Sequence, residues 1–282
     1  MDEKTNTSVS KQALIKKIEA YKNYLLDMEL SKGTIEKYEY DVRQFLLFSG
    51  ESICHEDVKV YKTLIIPKYK TSTVNSKLIS INKFLTWCGY SNLSVKTIKV
   101  QKLSCLDNVL SKEEYFKMLE CAKAKEKWKI YYIMRTLALT GVRVGELQYF
   151  TVETMKSGTI QIYNKGKLRN IYLSNKVLNT LREYCHKYNI SSGVIFTGNN
   201  TRPISTKTVW RKIKIIAKEA NVPAQKAYPH SFRHLFAKEY MKASGDITEL
   251  ADILGHSRID TTWRYTRTSV EEKIMVLDKV DL

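Results

Sequence analysis

The chain has 282 residues, and its 47 Lys and Arg residues outnumber its 29 Asp and Glu residues, leaving a formal net charge of +18. This excess makes a polyanion the expected partner and argues against a small acidic substrate. Its length predicts one large or two ordinary domains, and an apolar fraction of 43% is sufficient for packed cores. The composition therefore excludes an extended, purely basic tail protein.

No targeting or membrane segment is expected from the sequence. Residues 1–10 are polar, and nowhere do about 18 apolar residues follow one another. We therefore expect an intracellular, cytoplasmic protein without a membrane partner. The five cysteines are scattered without a C-x-x-C pair, which predicts reduced core residues rather than disulfides or a zinc ribbon. His230 and His234 lack the acidic residue of a zinc-protease motif, so neither a metal nor another cofactor is predicted.

The first hundred residues predict amphipathic helices separated by short polar breaks. Before the break at residues 31–33, apolar residues recur at helical spacing: Leu14, Ile18, Tyr21, Leu25 and Leu26. Thr34 is predicted to cap a second helix, and a third apolar stretch ends at Cys88-Gly89. No strand pattern is visible here. The sequence thus predicts a helical domain over 1–98 and an exposed basic linker over 99–107.

The remainder, 108–282, is predicted to be a mainly helical α+β domain. A nearly continuous apolar helix, Ile130–Leu139, should end at Thr140-Gly141 because glycine suits the position after a helix. Alternating Ile160 and Ile162, a turn at residues 164–166 and a returning strand over 168–173 predict a β-hairpin. Helices are then expected in three places: 208–219, around 230–241 and around 248–254.

Positive charge is concentrated in one part of this domain. Between Lys165 and His234 the chain has 14 basic residues, and its acidic residues there are Glu183 and Glu219. A solvated lysine-rich surface would account for such a bias without any function. A face that neutralises phosphates, with salt-dependent binding, is the preferred interpretation.

Four segments of this domain contain candidate chemical groups, each weak on its own. Arg143 follows a glycine turn, and a guanidinium can bind two phosphate oxygens at once, although a surface salt bridge with Glu146 would be the ordinary role. Lys165, at the hairpin turn, could donate a proton to a leaving alkoxide. His230 and Arg233 share one helix face, where a structural histidine would be the default.

The last segment combines a Leu-Gly-His sequence with a tyrosine. His256 follows Gly255, and Tyr265 comes nine residues later, in a chain that has 18 tyrosines. Residues 247–257 also resemble half of a helix-turn-helix, which is the main alternative for this region.

Taken together, the order Arg, Lys, His-x-x-Arg, Gly-His, Tyr resembles the tyrosine recombinase (phage integrase) family over nearly the whole chain. The specific pieces are Thr-Gly-x-Arg-x-x-Glu-Leu, Leu-Gly-His and Tyr-Thr. The resemblance implies a helical core-binding domain that closes over double-stranded DNA, followed by a catalytic domain. It also implies five activating residues and one nucleophile: Arg143, Lys165, His230, Arg233 and His256, with Tyr265 as the nucleophile. Lys167 is the alternative general acid, and the position of Lys165 directly before the glycine favours Lys165.

The implied chemistry agrees with the residue types. Attack on a phosphodiester adds a second negative charge in the transition state, which fixed cationic donors stabilise more than the ground state. A tyrosine with an ordinary pKa of about 10 needs such cations, or a basic neighbour, to become a phenolate. The resulting phosphotyrosine would conserve the energy of the broken ester, so rejoining would need no ATP.

Oligomer formation is also implied by the resemblance, which predicts four protomers on DNA. The C-terminal apolar stripe of Val270, Ile274 and Leu277 would dock into a neighbouring subunit, or alternatively onto its own core. A single DNA-binding module favours a simple-site enzyme, similar to Xer recombinases or transposon resolvases, acting in integration, excision or resolution. The alternatives are a type IB topoisomerase and a non-catalytic DNA-binding regulator.

Overall fold

The computed structural model describes residues 8–99, 109–164, 167–198 and 201–255, together with Thr262, Trp263, Ile274 and Asp278. The chain divides into two compact units, Met1–Lys102 and Leu103–Leu282, and each has its own hydrophobic core. Apart from Lys99, the predicted linker at 99–107 lies outside the described residues, so the predicted domain boundaries stay a prediction. Within the described part, no helix combines the length and apolarity needed to cross a bilayer.

The first unit is built mainly from helices. Its described elements are, in chain order, β1 (Val9–Ser10), α1 (Lys11–Lys16), α2 (Ile18–Asp27), α3 (Lys32–Phe48), β2 (Ser52–Ile53), α4 (His55–Ile65), α5 (Thr71–Trp87) and a 3-10 turn (Ser91–Leu93). The antiparallel pair of β1 and β2 contradicts the expectation of a unit without strands. Two residues per strand are too few to leave an alternating pattern in the sequence.

The start of α3 differs from the predicted one. Ser31 is the N-cap, and Thr34 lies inside the first turn, where the two hydroxyl oxygens are 2.8 Å apart. The prediction of Thr34 as the cap is therefore wrong. Both residues have a hydroxyl suited to capping, so the sequence pattern alone does not distinguish them.

A buried polar cluster joins α3 to α5 inside the first unit. The Asp41 carboxylate, only 3% exposed, accepts hydrogen bonds from Lys37 (2.6 Å), Lys77 (3.0 Å) and Ser80 (2.9 Å). Burial raises the pKa of Asp41, but these hydrogen bonds outweigh it, and the pKa is lowered from its usual value. The carboxylate is therefore held in its charged form.

Two asparagines of α5 fix the segment that leaves the first unit. The Asn82 amide donates to the Val95 carbonyl at 2.7 Å and accepts from the Val95 N–H at 3.1 Å. Asn75 makes the same pair of hydrogen bonds with Ile98, at 2.9 and 2.8 Å. Each side chain thereby replaces the partner that a neighbouring strand would have provided for this backbone.

The second unit combines helices with one β-hairpin. Its described elements are α6 (Lys112–Ala124), α7 (Trp128–Thr140), a 3-10 helix (Val144–Tyr149), α8 (Val152–Ser157), β3 (Thr159–Asn164), β4 (Lys167–Tyr172), α9 (Asn175–Lys187), α10 (Thr206–Glu219), α11 (Pro229–Ser244) and α12 (Ile247–Leu254). The predicted fold class is confirmed, and so are its hairpin and last three helices, with ends that differ by a few residues. The sequence pattern did not predict α6 or α9.

Helix α7 lies at the centre of this unit, in contact with α6, α9, α10 and α11. Its apolar residues Ile133, Met134 and Leu137 are fully buried, which agrees with the continuous apolar run in the sequence. The helix ends at Gly141, whose φ of +62° suits glycine. A side chain there would also overlap the ring of Phe236, so this helix end determines how closely α11 approaches.

The predicted hairpin is present, with Ile160 facing Ile171, but its strands are longer at the turn than predicted, because Asn164 pairs with Lys167. Ile160, Ile162 and Ile171 point inward and are buried, whereas Tyr163, Leu168 and Tyr172 on the other face are exposed. One inward position, opposite Ile162, is occupied by Arg169. Because side chains alternate between the faces of a strand, this arginine is directed toward the core.

Candidate active site

Arg143 lies at the turn between α7 and the 3-10 helix. Its backbone N–H donates to Glu146 Oε2 at 2.7 Å, and its Nη1 donates to Glu146 Oε1 at 3.1 Å. The side chain of Glu146 is 4% exposed, whereas that of Arg143 is 42% exposed. One edge of the guanidinium is thus held by a buried carboxylate while much of the group faces solvent. Glu146 is thus both a salt-bridge partner of Arg143 and a residue that holds the turn in place.

A second arginine contacts the same carboxylate. Arg169 Nη2 pairs with Glu146 Oε2, and Arg169 Nη1 donates to the backbone carbonyls of Ile253, at 3.3 Å, and Leu254. Burial and the neighbouring Arg143 cation lower the pKa of Arg169, and Glu146 opposes both effects. A guanidinium remains protonated despite such a shift. The site therefore holds two cations around one anion.

Arg233 lies beneath the surface of α11 and is 1% exposed. Its Nη1 donates to the Gly141 carbonyl at 2.7 Å, and its Nη2 donates to the Leu254 carbonyl at 2.6 Å. Arg233 thus connects the end of α7 with the end of α12. Since Arg169 also donates to Leu254, both arginines converge on the carbonyl of the same residue.

His230 is the second residue of α11 and is exposed. It lines an open cavity of about 590 Å³ together with Val144, the neighbour of Arg143, and with Lys207 and Lys214 of α10. Its ring lies 4.8 Å from that of His234, edge to face. The imidazole of His230 and the side chains of Lys207 and Lys214 therefore lie around one cavity beside the turn that carries Arg143.

Among the six predicted catalytic residues, the structure describes Arg143, His230 and Arg233. Hydrogen bonds through Glu146, Arg169 and Leu254 connect Arg143 with Arg233, and His230 lies one helical turn before Arg233. The other three, Lys165, His256 and Tyr265, lie outside the described residues. So does the side chain of Lys167, the alternative to Lys165. The roles of all six residues remain predictions.

The sequence interpretation overlooked Arg169, although the sequence contains a signal for it. Three inward positions of the hairpin are apolar and buried, Ile160 and Ile162 on β3 and Ile171 on β4. An arginine in this register has to find polar partners inside the domain or pay a large desolvation cost. A charged residue at an inward strand position is thus the pattern that identifies it.

No metal site is formed by the residues that the structure describes, since no cluster of three His, Cys, Asp or Glu side chains occurs among them. The groups assembled at the described part of the site are guanidinium, ammonium, imidazole and one carboxylate. Such a set suits binding of a phosphate and stabilisation of added negative charge.

Comparison with known proteins relates most of the chain to one family. Residues 108–272 match the phage integrase family. The tyrosine recombinase XerA of Pyrococcus furiosus is 25% identical over 272 residues, which cover 94% of each chain. A tyrosine recombinase of Agathobacter rectalis is 29% identical, with 92% of this chain and 94% of the relative covered.

Among solved structures, a λ integrase dimer bound to a COC′ core site has a similar fold. Its TM-score is 0.75 at 16% identity, and the match covers 93% of this chain and 78% of that one. All six predicted catalytic residues lie within the matched residues 108–272. This chain belongs to the phage integrase family, the family of the tyrosine recombinases.

Proposed function

We propose that this chain is a site-specific DNA recombinase that cuts and rejoins strands through a covalent tyrosine intermediate. The observation that carries the proposal is the family match over 108–272, which contains the complete set of predicted catalytic residues. The geometry around Glu146 supports it, because Arg143 is held at its inner edge while 42% of its side chain remains accessible to a phosphate.

In the proposed reaction, the Tyr265 oxygen attacks a backbone phosphorus and displaces the 5′ oxygen. The tyrosine proton passes to a basic neighbour, and Lys165 protonates the leaving oxygen, giving a 3′-phosphotyrosyl bond and a free 5′ hydroxyl. A second 5′ hydroxyl then reverses these steps on the new strand. One ester is exchanged for another in each step, so no external energy source is needed.

The cationic residues are proposed to bind the scissile phosphate and its neighbours. Arg143 can offer a bidentate pair of donors, and its charge is partly offset by Glu146, whose charge is in turn shared with Arg169. Exposed His230 and the nearby Lys207 extend the positive surface along the cavity. Electrostatic stabilisation by fixed donors is generally the largest catalytic contribution in such sites.

The proposed partner is double-stranded DNA, in keeping with the net charge of +18. Helix α10 contributes an exposed basic face that includes Lys207 and Arg211, beside the half-exposed ring of Trp210. The λ integrase with a similar fold is bound to a core site. Since a protein of this kind acts on the DNA of its own cell or replicon, we place it in the cytoplasm and expect substrates in integration, excision or resolution.

Strand exchange between two sites is proposed to require four copies joined through the C-terminal tail. Ile274 of the tail stripe is 52% exposed, so its side chain is available to another copy. A candidate acceptor is an apolar groove of about 640 Å³ in the second unit, lined by residues that include Phe116, Phe236 and Tyr240. Phe116 is 50% exposed at its edge. Val270 and Leu277 lie outside the described residues.

A trapping experiment tests the proposed chemistry. DNA sites are first selected from random duplexes by binding to the protein, then rebuilt with a nick next to the expected cut so that the short released strand diffuses away. Wild-type protein in EDTA should give a slow-migrating protein–DNA species on a denaturing gel. Tyr265→Phe should bind the same duplex without this species.

Two other results of this experiment would each favour one of the alternatives. Site-selective binding without any adduct from the wild type would contradict the proposal and favour a DNA-binding regulator. An adduct formed equally on every duplex by a monomer would favour a type IB topoisomerase. The same assay can be applied to Arg143→Lys. This variant is expected to retain binding and lose most of the cleavage, because a point charge replaces a bidentate fork.

A further inference from the structure

Arg169 is a charged residue at a position where the strand pattern predicts an apolar one. It lies on the inward face of β4, opposite the buried Ile162, and its side chain is only 12% exposed. The free-energy cost of burying a guanidinium is large unless its donors are satisfied. A residue kept in this environment must therefore have specific partners, and the partners of Arg169 belong to the site.

One end of the guanidinium contacts the turn that carries Arg143. Arg169 Nη2 pairs with Glu146 Oε2, the same oxygen that accepts the Arg143 backbone N–H at 2.7 Å. The other carboxylate oxygen accepts from the Arg143 guanidinium at 3.1 Å. Glu146 is thus fixed between two arginines, and the position of Arg143 depends on where that carboxylate is held.

The other end of the guanidinium contacts the end of α12. Arg169 Nη1 donates to the carbonyls of Ile253 and Leu254, the last two residues of the helix. These carbonyls have no partner within their own helix, so a cation there satisfies them and interacts favourably with the helix dipole. Gly255 follows directly, and His256 is the next residue in the sequence.

Gly255 is shaped to allow this contact. Its φ of +64° is in the left-handed region, and a Cβ atom at this position would overlap Arg169 Cδ. Glycine therefore serves two purposes here, ending α12 and leaving room for the arginine. The close approach indicates that the strand and the helix end are fitted to each other through Arg169.

From these contacts we infer that Arg169 is a positioning residue that couples the Arg143 turn and the helix end before His256 to the hairpin that carries Lys165. The inference rests on the proposed function, because it assigns Arg169 a role in that reaction. The buried guanidinium of Arg169 is engaged by Glu146 and by the carbonyls of Ile253 and Leu254, so the residue acts through these partners. Three segments distant in sequence are thereby held in one geometry by a single side chain.

Only an arginine can make this set of contacts. Its planar fork reaches a carboxylate with one nitrogen and two carbonyls with another, whereas a lysine has a single ammonium group. Arg169→Lys is therefore expected to be less active than the wild type but more active than Arg169→Met. Arg169→Met removes the charge and leaves Glu146 without its buried cation.

The test measures two quantities for each variant, the rate of adduct formation at saturating DNA and the DNA dissociation constant. Misplacing a catalytic group by about 1 Å can slow a reaction about 100-fold, and we expect Arg169→Met to slow adduct formation by about 10- to 100-fold. Its DNA dissociation constant should stay within about threefold of the wild-type value, because the Arg169 side chain is only 12% exposed. The charge-matched control is Arg135→Met, whose partner Glu183 is 53% exposed.

Gly255→Ala tests the same contact without removing the arginine. The added methyl group should displace Arg169 and slow adduct formation, whereas Gly158→Ala should not. Gly158 is a suitable control because it also ends a helix with a positive φ of +73° and has no atom near its missing Cβ. Both variants introduce similar backbone strain, so a difference between them reports on Arg169.

A second readout does not depend on catalysis. With ¹³C-labelled histidine, the His256 ring signals, assigned with His256→Asn, should shift in Arg169→Met and stay unchanged in Arg135→Met. Adduct rates within about threefold of wild type in both Arg169→Met and Gly255→Ala, or unshifted His256 signals, would overturn the inference. Absence of an adduct from the wild-type protein would instead contradict the proposed function. In that case the His256 signals alone would test whether Arg169 positions this part of the site.

Discussion

Asp41 illustrates how one buried carboxylate can organise a helix pair. It accepts hydrogen bonds from Lys37 and Lys77, and Lys77 itself is only 8% exposed. The Lys77 ammonium also lies 5.4 Å from the centre of the Tyr40 ring and 5.2 Å from that of Tyr69. Removing the carboxylate would leave a buried ammonium without its anionic partner, which costs more than the net gain from forming the pair.

We predict that Asp41→Asn lowers the free energy of unfolding of the first unit by about 3 kcal/mol. Because the folded-state pKa of Asp41 is lowered, its contribution is complete above the unfolded pKa of about 4 and is lost as the pH falls further. Urea unfolding between pH 3 and pH 7 measures both effects. Glu56→Gln, which removes an exposed pair with Lys59, is the control and should cost less than about 1 kcal/mol. Equal losses in the two variants would contradict this account.

At the scale of elements, local patterns predicted some helix ends and the hairpin, whereas α6, α9 and the long-range contacts were not predicted. The end of α7 at Gly141 and the presence of the hairpin follow from residue type and alternation, and both were predicted. The contacts of Arg169 could not be predicted in this way, because its partners lie 23, 84 and 85 residues away. Of the site, the sequence supplied the residue types and the family resemblance, while the structure supplied the connection through Glu146.

The end of α7 offers a test at this scale. We predict that Gly141→Ala destabilises the second unit by more than about 2 kcal/mol. The cost of a left-handed alanine and the cost of the overlap with Phe236 both contribute. Gly245→Ala, at the end of α11, has the same kind of φ (+71°) and open space around it, so its cost should be about 1 kcal/mol. Thermal unfolding of both variants is the measurement. A Gly141→Ala variant no less stable than the Gly245→Ala variant would show that α11 does not depend on this close approach.

At the scale of the whole molecule, the proposed assembly depends on the C-terminal tail. We predict that deletion of residues 271–282 leaves DNA binding intact and abolishes recombination between two sites, because protomers can no longer join. Phe116→Glu in the proposed acceptor groove should have the same effect, since a charge at this half-exposed position opposes an apolar partner. Native gels and a two-site recombination assay measure these outcomes. Full strand exchange by the truncated protein would contradict the proposed role of the tail.

The polarity of the covalent bond tests the central claim most directly. The cleavage reaction is run in EDTA, and the products are resolved on a denaturing gel. The strand segments upstream and downstream of the cut are labelled at their 5′ ends in separate experiments. The protein should remain attached to the segment upstream of the cut, and the downstream segment should accept phosphate from a kinase without prior phosphatase treatment. Tyr265→Phe should give neither product. Attachment to the downstream segment, or an undiminished adduct from Tyr265→Phe, would contradict the assignment of Tyr265 as a nucleophile that forms a 3′-phosphotyrosyl bond.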